Sequence, residues 1–185
     1  MNSNPNISRA FYTLKSMLVV SHEGNSIWFN ISKAIENKKN SYDTQNRINI
    51  KFNIDEIGKI CHILRNHLLL GEKGFLVAWN DYKAKDNDKD KYPTIKFYHA
   101  SKNDEKRATY VNFFLYEKIR PVFSFTKSIN GKNDSIQFSV LKEFEYSFVY
   151  TLEMLMSRTI TVGNRINKNE DSQNSNESNS DDFEI

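Results

Sequence analysis

One cysteine, six glycines and three prolines in 185 residues leave little material for several kinds of protein. With Cys61 alone, disulfide scaffolding and a cysteine-based zinc site are both excluded. A reducing interior is the expected setting, the cytoplasm first and an organelle matrix as the alternative. The glycines are dispersed, and none builds a phosphate-cradling loop ahead of a helix. His22, His62, His67 and His99 are scattered, and His62 and His67 do not share a helix face for metal ligation. No apolar run approaches the roughly 20 residues needed to cross a bilayer, so no membrane partner is expected. The opening MNSNPNISRAFYTLK lacks the long apolar stretch and cleavage site of a secretory signal. With no nucleophile–base pair, metal cluster or cofactor loop in view, the expectation is a non-enzyme without cofactor or metal.

Charge is present but unevenly placed. From Asn167 onward six acidic residues stand against Lys168, a local charge of −5 within a net +3. Residues 1–166 therefore carry +8. A basic body with an acidic tail points to polyanion binding by the body. The tail, 165–185, is rich in Ser, Asn and acid and has too few apolar residues to offset ordering entropy, so it is expected to be disordered. A second polar island, Lys83–Lys91, has an Asp-x-Asp-x-Asp pattern. A calcium loop begun at Asp86 would need Gly at Lys91 and Glu at Phe97, so it reads as a solvated loop.

The rest is mostly alternating strand. Ile27, Phe29 and Ile31 fall on one face of SIWFNIS, with Trp28 and Asn30 opposite. Ile48, Ile50, Phe52 and Ile54 alternate with Arg47, Asn49, Lys51 and Asn53. Ile95 and Phe97 oppose Lys96 and Tyr98, and Val111, Phe113 and Leu115 oppose Tyr110, Asn112, Phe114 and Tyr116. This period of two predicts half-buried antiparallel strands, with two more at 121–127 and 135–140 around the turn signal SINGKND. Helical period takes over after Asp55, read as the N-cap, with Ile57, Ile60, Cys61, Leu64 and Leu68, and again from Lys142, with Phe144, Phe148, Leu152, Leu155 and Met156. Cys61 on that stripe reads as a buried, inert thiol. IKFNIDEIGKI and IQFSVLKEFEYSF are similar lead-ins, so the chain reads as strands–helix repeated, an α+β class with a weak internal duplication.

Aromatic and basic residues recur together on the polar strand faces. Trp28, Tyr98, Tyr110, Phe114 and Tyr116 are large rings where Thr, Lys or Glu would be ordinary, and Phe114 is the one most easily read as core. Lys33, Arg47, Lys51, Lys96, Arg120 and Lys127 supply positive charge. Single-stranded nucleic acid needs this combination, because bases stack on rings for about 1–3 kcal/mol each while cations follow the phosphates. The rival reading of the same rings is a sheet buried on both sides or a subunit interface.

The order of elements resembles the Whirly family of single-stranded-DNA-binding proteins, whose architecture the kinetoplastid mitochondrial RNA-binding proteins share. INIKFNIDEIGKI, IKFYHASKND and VFSFTKSINGKNDSIQFSVLKEFEYSFVYTLEMLM carry the resemblance, which covers about residues 9–160. It implies two antiparallel sheets, each a four-strands-then-helix block, crossing roughly at right angles. Helices would mediate a homo-oligomer, a tetramer or dimer, with DNA along the sheet edges. Where plant members carry Lys-Gly-Lys-Ala-Ala-Leu, this chain has YTLKSMLVV, in which only Lys15 keeps a charge; Lys15 joins the candidate contacts. The segment Arg65–Pro93 is longer than the family's connection.

The tail, ending SDDFEI, is similar in kind to that of bacterial and phage single-stranded-DNA-binding proteins. By that likeness Asp181, Asp182, Phe183 and Ile185 would capture replication or repair proteins, acid to a basic rim and apolar tip to a pocket. The expectation is a nucleic-acid-binding domain at 9–164 and a partner-binding tail at 165–185. It would coat single-stranded DNA with little sequence preference in replication, recombination or repair. An RNA-binding or annealing factor, and an accessory protein using its strands as an interface, stay open.

Overall fold

The structure is a computed structural model, and it describes residues 7–24, 26–83, 91–101 and 104–177, with side chains at 101–106 and beyond Thr161 left aside. Strands form where the period-two runs predict them. β1 (Ser8–Tyr12), β2 (Ser16–Glu23), β3 (Ser26–Lys33) and β4 (Ile48–Phe52) make one antiparallel sheet in that spatial order. β5 (Thr94–Ser101), β6 (Asp104–Tyr116), β7 (Arg120–Ile129) and β8 (Lys132–Ser139) make the second, again in chain order. Each is a meander, which antiparallel strands with short turns build most directly. Asn130 and Gly131, both at positive φ, close the β7–β8 hairpin in the two-residue turn that such a pair favours.

α1 (Ile54–Leu70) leaves the first sheet at Asn53, not at Asp55 as the sequence reading has it. Asn53 Oδ1 accepts from Glu56 N at 2.8 Å and Glu56 Oε2 accepts from Asn53 N at 3.0 Å, a reciprocal capping box. Asp55 sits in the first turn instead, where a carboxylate favours the helix dipole. Burial alone would raise Glu56, but the His99 ring beside it and the hydrogen bond from the Asn53 amide hold it below the ordinary carboxylate range. The contact with His99, 3.2 Å from its Nε2, ties the start of α1 to β5.

α2 (Glu72–Asn80) fills part of the long connection that periodicity alone leaves unassigned. Gly71, at φ 60, lets the chain turn from α1 into it. Gly74 then allows close approach: a Cβ there would stand 2.0 Å from the Asn66 carbonyl oxygen. α3 (Lys142–Glu177) packs on α1 and on both sheets; its backbone runs on into the stretch from 165 that composition assigns to the tail. The tip residues Asp181, Asp182, Phe183 and Ile185 lie outside the described residues, as does most of the charged segment 83–91.

Phenylalanine is the commonest residue of the core among the described residues, with isoleucine close behind. Phe148 of α3 packs 4.9 Å from Phe11, 6.3 Å from Phe29, 6.0 Å from Phe123 and 6.1 Å from Phe138, touching the inner faces of both sheets. Register aligns Val20–Phe29–Ile50 in the first sheet and Phe113–Phe123–Phe138 in the second, and these buried rows face inward. Between α1 and α3, the buried His67 Nδ1 meets Glu145 Oε1. Cys61 is buried, and desolvation followed by the Glu153 charge pushes its thiol up to about 12, so it holds no thiolate at neutral pH.

Gly74→Ala is expected to destabilise. The gain in helix propensity of about 1 kcal/mol is overcome by the backbone clash, for a net loss of about 1–3 kcal/mol in denaturant melts. His22 is buried on β2, its Nε2 without a hydrogen-bond partner among the described residues. Desolvation, then Arg158, lowers its pKa from 6.5. Its neutral form therefore favours the fold above pH 6.5, and this contribution is lost as pH falls through 6.5 towards the lowered folded value. Thermal midpoints should drop over that window, and His22→Leu should flatten the drop.

Candidate nucleic-acid interface

β8 is an edge strand, and the start of the first sheet is stitched against it. Ser16, fully buried, donates through Oγ to the Gln137 carbonyl at 2.7 Å. This places the β1–β2 turn, Thr13-Leu14-Lys15, over the edge. The turn is tightly held. Thr13 Oγ1 accepts from Ser16 N at 3.0 Å and Lys15 N at 3.3 Å, and Tyr42 Oη donates to the Thr13 carbonyl at 3.0 Å. Ala34 N donates to the Lys15 carbonyl at 2.9 Å.

Three depressions follow one another along β8. The first, about 410 Å³, lies between the turn and Tyr116, Arg120, Gln137 and Ser139. The second, about 800 Å³, shares Thr13, Leu14, Lys15 and Gln137 with it and continues past Ser135 to Lys33 and the 35–42 loop. The third, about 530 Å³, is lined by Arg47, Lys127, Lys132 and Asn133 at the far end. Lys132 to Ser139 spans about 24 Å at strand rise. Lining residues include eight bases (Lys15, Lys33, Lys38, Lys39, Arg47, Arg120, Lys127 and Lys132) and two acids, Glu36 and Asp134, so the groove is cationic. Asp134 takes Lys33 in an ion pair, and both groups are half exposed, so the bridge adds little stability.

The outer face of the second sheet has two halves. On β7 and β8 it carries Ser124, Thr126, Ser135 and Gln137, small or polar. On β5 and β6 it carries rings. Tyr98 and Tyr110 are cross-strand partners with centroids 5.1 Å apart. Phe114 stacks on Tyr92 at 5.7 Å and 17°, and Tyr116 lies 5.3 Å from Tyr92. Tyr98 is 61% exposed, Tyr110 41% and Tyr116 37%. A hydrogen bond to Glu117, then its charge, pushes the Tyr116 phenol up, so it stays a neutral O–H at working pH. Helices contact this sheet through its inner rings, Phe148 on Phe123 and Phe138 and Phe75 on Phe113.

Of the residues singled out from sequence, Lys15, Lys33, Arg47, Tyr116, Arg120 and Lys127 line the groove. Lys96, Tyr98, Tyr110 and Phe114 share the outer face of the same sheet, and Phe114 is half-buried there rather than in the core. Trp28 and Lys51 are cross-strand neighbours on the outer face of the first sheet and line none of the three depressions. Sequence reasoning missed Tyr92, Tyr12, Tyr42, Leu14, Lys38, Lys39 and Lys132. The sequence signal was slight: Tyr92 sits between a charged run and Pro93, and Thr13-Leu14-Lys15 lacks the Gly, Asn or Pro that marks a turn.

No family model and no curated protein matches this sequence. Solved structures do. The plant transcriptional regulator PBF-2 superposes with a TM-score of 0.62 at 14% identity, over 90% of this chain and 89% of that one. WHY3 from Arabidopsis thaliana gives 0.59 at 11% identity over 93% and 99%, and WHY1 from the same plant 0.58 at 10% over 83% and 90%. At these identities what is shared is the path of the chain, two four-stranded meanders with a helix after each. The fold is that of the Whirly proteins.

Proposed function

We propose that this protein binds single-stranded DNA with little base preference and coats it during replication, recombination or repair. The observation that supports this most is the apposition of a cationic groove on the β8 edge with a sheet face on which, among the described residues, Tyr98, Tyr110 and Tyr116 stand exposed. Phosphates would follow Lys15, Arg120 and Lys33 along the β8 edge, with Lys127 reached only past that edge at its far end. Bases would lie over the small side chains of β7 and reach the rings of β6, two strands or about 10 Å away. The groove accommodates on the order of four to seven nucleotides, taking about 3.4 Å per stacked nucleotide and more when extended. Stacking asks only for a π-face, which is why little preference is expected. PBF-2, whose fold this is, is a plant transcriptional regulator, a role carried out on nucleic acid and in keeping with the proposal.

A homo-oligomer goes with this reading. Tyr146 (76% exposed), Tyr150 and Leu69 surround the Arg65–Glu153 bridge on the open side of α1 and α3, an apolar surface suited to a second copy. The acidic tip at Asp181, Asp182, Phe183 and Ile185 would recruit replication or repair proteins, and the tether raises their local concentration at the coated strand.

Salt-titrated binding tests the proposal. Affinity for single strands should exceed that for duplex and fall with a log–log salt slope of about −3 to −4, as for four to six phosphate contacts. Lys15→Glu with Arg120→Glu should reduce affinity by more than tenfold, whereas Lys51→Glu should change it little. A preference for RNA of the same sequence would move the assignment to RNA, and removal of 170–185 should leave binding equal or tighter. No single-strand binding at low salt would end the proposal. Tyr146→Glu should lower the mass seen by light scattering if α1 and α3 form the subunit interface; an unchanged mass would place it elsewhere.

A further inference from the structure

The tip of the β1–β2 turn carries Leu14, 99% exposed, on the backbone that Thr13, Tyr42 and Ala34 hold in place. A leucine wholly in water contributes nothing to the core, and what singles this one out is its place on a fixed turn between two cation-lined depressions. It lines both the first and the second depression and stands at the boundary between them, opposite Gln137. Arg120 lies on one side, Lys33 on the other and Lys15 borders both, so a strand lying along β8 with its phosphates on these cations must pass the tip.

Resting on the proposed function, we infer that Leu14 is a wedge that inserts between two successive bases of the bound strand and breaks their stack. Apolar side chains presented beside cations do this in other settings, with the unstacking offset by contacts on either side. Here the contacts are the two depressions, each receiving one run of bases. Tyr12, 56% exposed and 5.6 Å from Tyr42, offers a ring beside the tip for a displaced base to stack on. The turn backbone is pre-organised, so little of the ordering cost of binding falls on it. The surrounding surface favours a nucleic acid over a protein occupant, because five basic residues (Lys15, Lys33, Lys38, Lys39 and Arg120) against one acid, Glu36, line the two depressions that flank the leucine.

The test uses the full chain and an oligodeoxythymidylate carrying two adjacent 2-aminopurines, whose emission is quenched while they stack. Binding by the unaltered protein should raise the emission, and Leu14→Ala should abolish most of the rise while weakening affinity on the order of tenfold, the scale of one lost base contact. Leu14→Met, still apolar and long, should restore both. An equal rise with Leu14→Ala overturns the wedge and leaves the groove standing. A Leu14→Ala protein of altered mass but unaltered emission overturns it in favour of a subunit contact. Failure of the unaltered protein to bind the oligonucleotide at all overturns the wedge together with the function on which it rests.

Discussion

Everything on the outside of this molecule follows from how Phe148 is seated. One ring of α3 meets Phe11 and Phe29 from the first sheet and Phe123 and Phe138 from the second. Burying a side chain of this size is worth about 1.5–3 kcal/mol, and edge-on and tilted ring pairs add to that. Because the described helices pack on the inner rings, the rings of β5 and β6 on the other face of the second sheet are left to solvent in part, Tyr98, Tyr110 and Tyr116 among them. The period of two then decides what stands there: with Phe113 and Leu115 directed inward, Tyr110, Phe114 and Tyr116 have nowhere to go but out.

The same packing brings the β1–β2 turn against β8. Ser16 is fully buried, and its hydroxyl reaches a backbone carbonyl of the other sheet, a hydrogen bond that fixes where Lys15 sits relative to Arg120. A cationic path bordered by rings is thus a product of core assembly and not of any local motif. Its chemistry is that of non-specific strand binding: point charges for phosphates, π-faces for bases, and little that reads a base edge.

Much of the fold was legible because alternation in RINIKF and TYVNFFLYE ties each side chain to a face, and the structure keeps those faces. Asn-Gly at 130–131 marked its hairpin for the same reason, since few residues tolerate positive φ. Capping was less legible. Asn53 and Asp55 are equally good caps by type, and only the return hydrogen bond from Glu56 decides between them. α2 escaped notice because nine residues with Gly74 in their midst show little period, and it is contact with α1 that stabilises them. The groove was legible only as a list of charges. Lys15, Lys33, Arg47, Arg120 and Lys127 come from distant parts of the chain, and sequence spacing gives no reason to gather them while leaving Lys51 on the far side. Tyr92 shows the same limit, because its stacking on Phe114 arises from where the chain enters β5 beside β6.

The central claim is that the open face of the second sheet, with the β8 edge, is where a single strand lies. Photo-crosslinking with oligonucleotides bearing 5-iodouracil, followed by peptide mapping, addresses it most directly. The account predicts adducts at Tyr116, Tyr110, Tyr98 or Tyr12. Adducts confined to Trp28 on the first sheet, or to Tyr146 and Tyr150 on the helices, would contradict it.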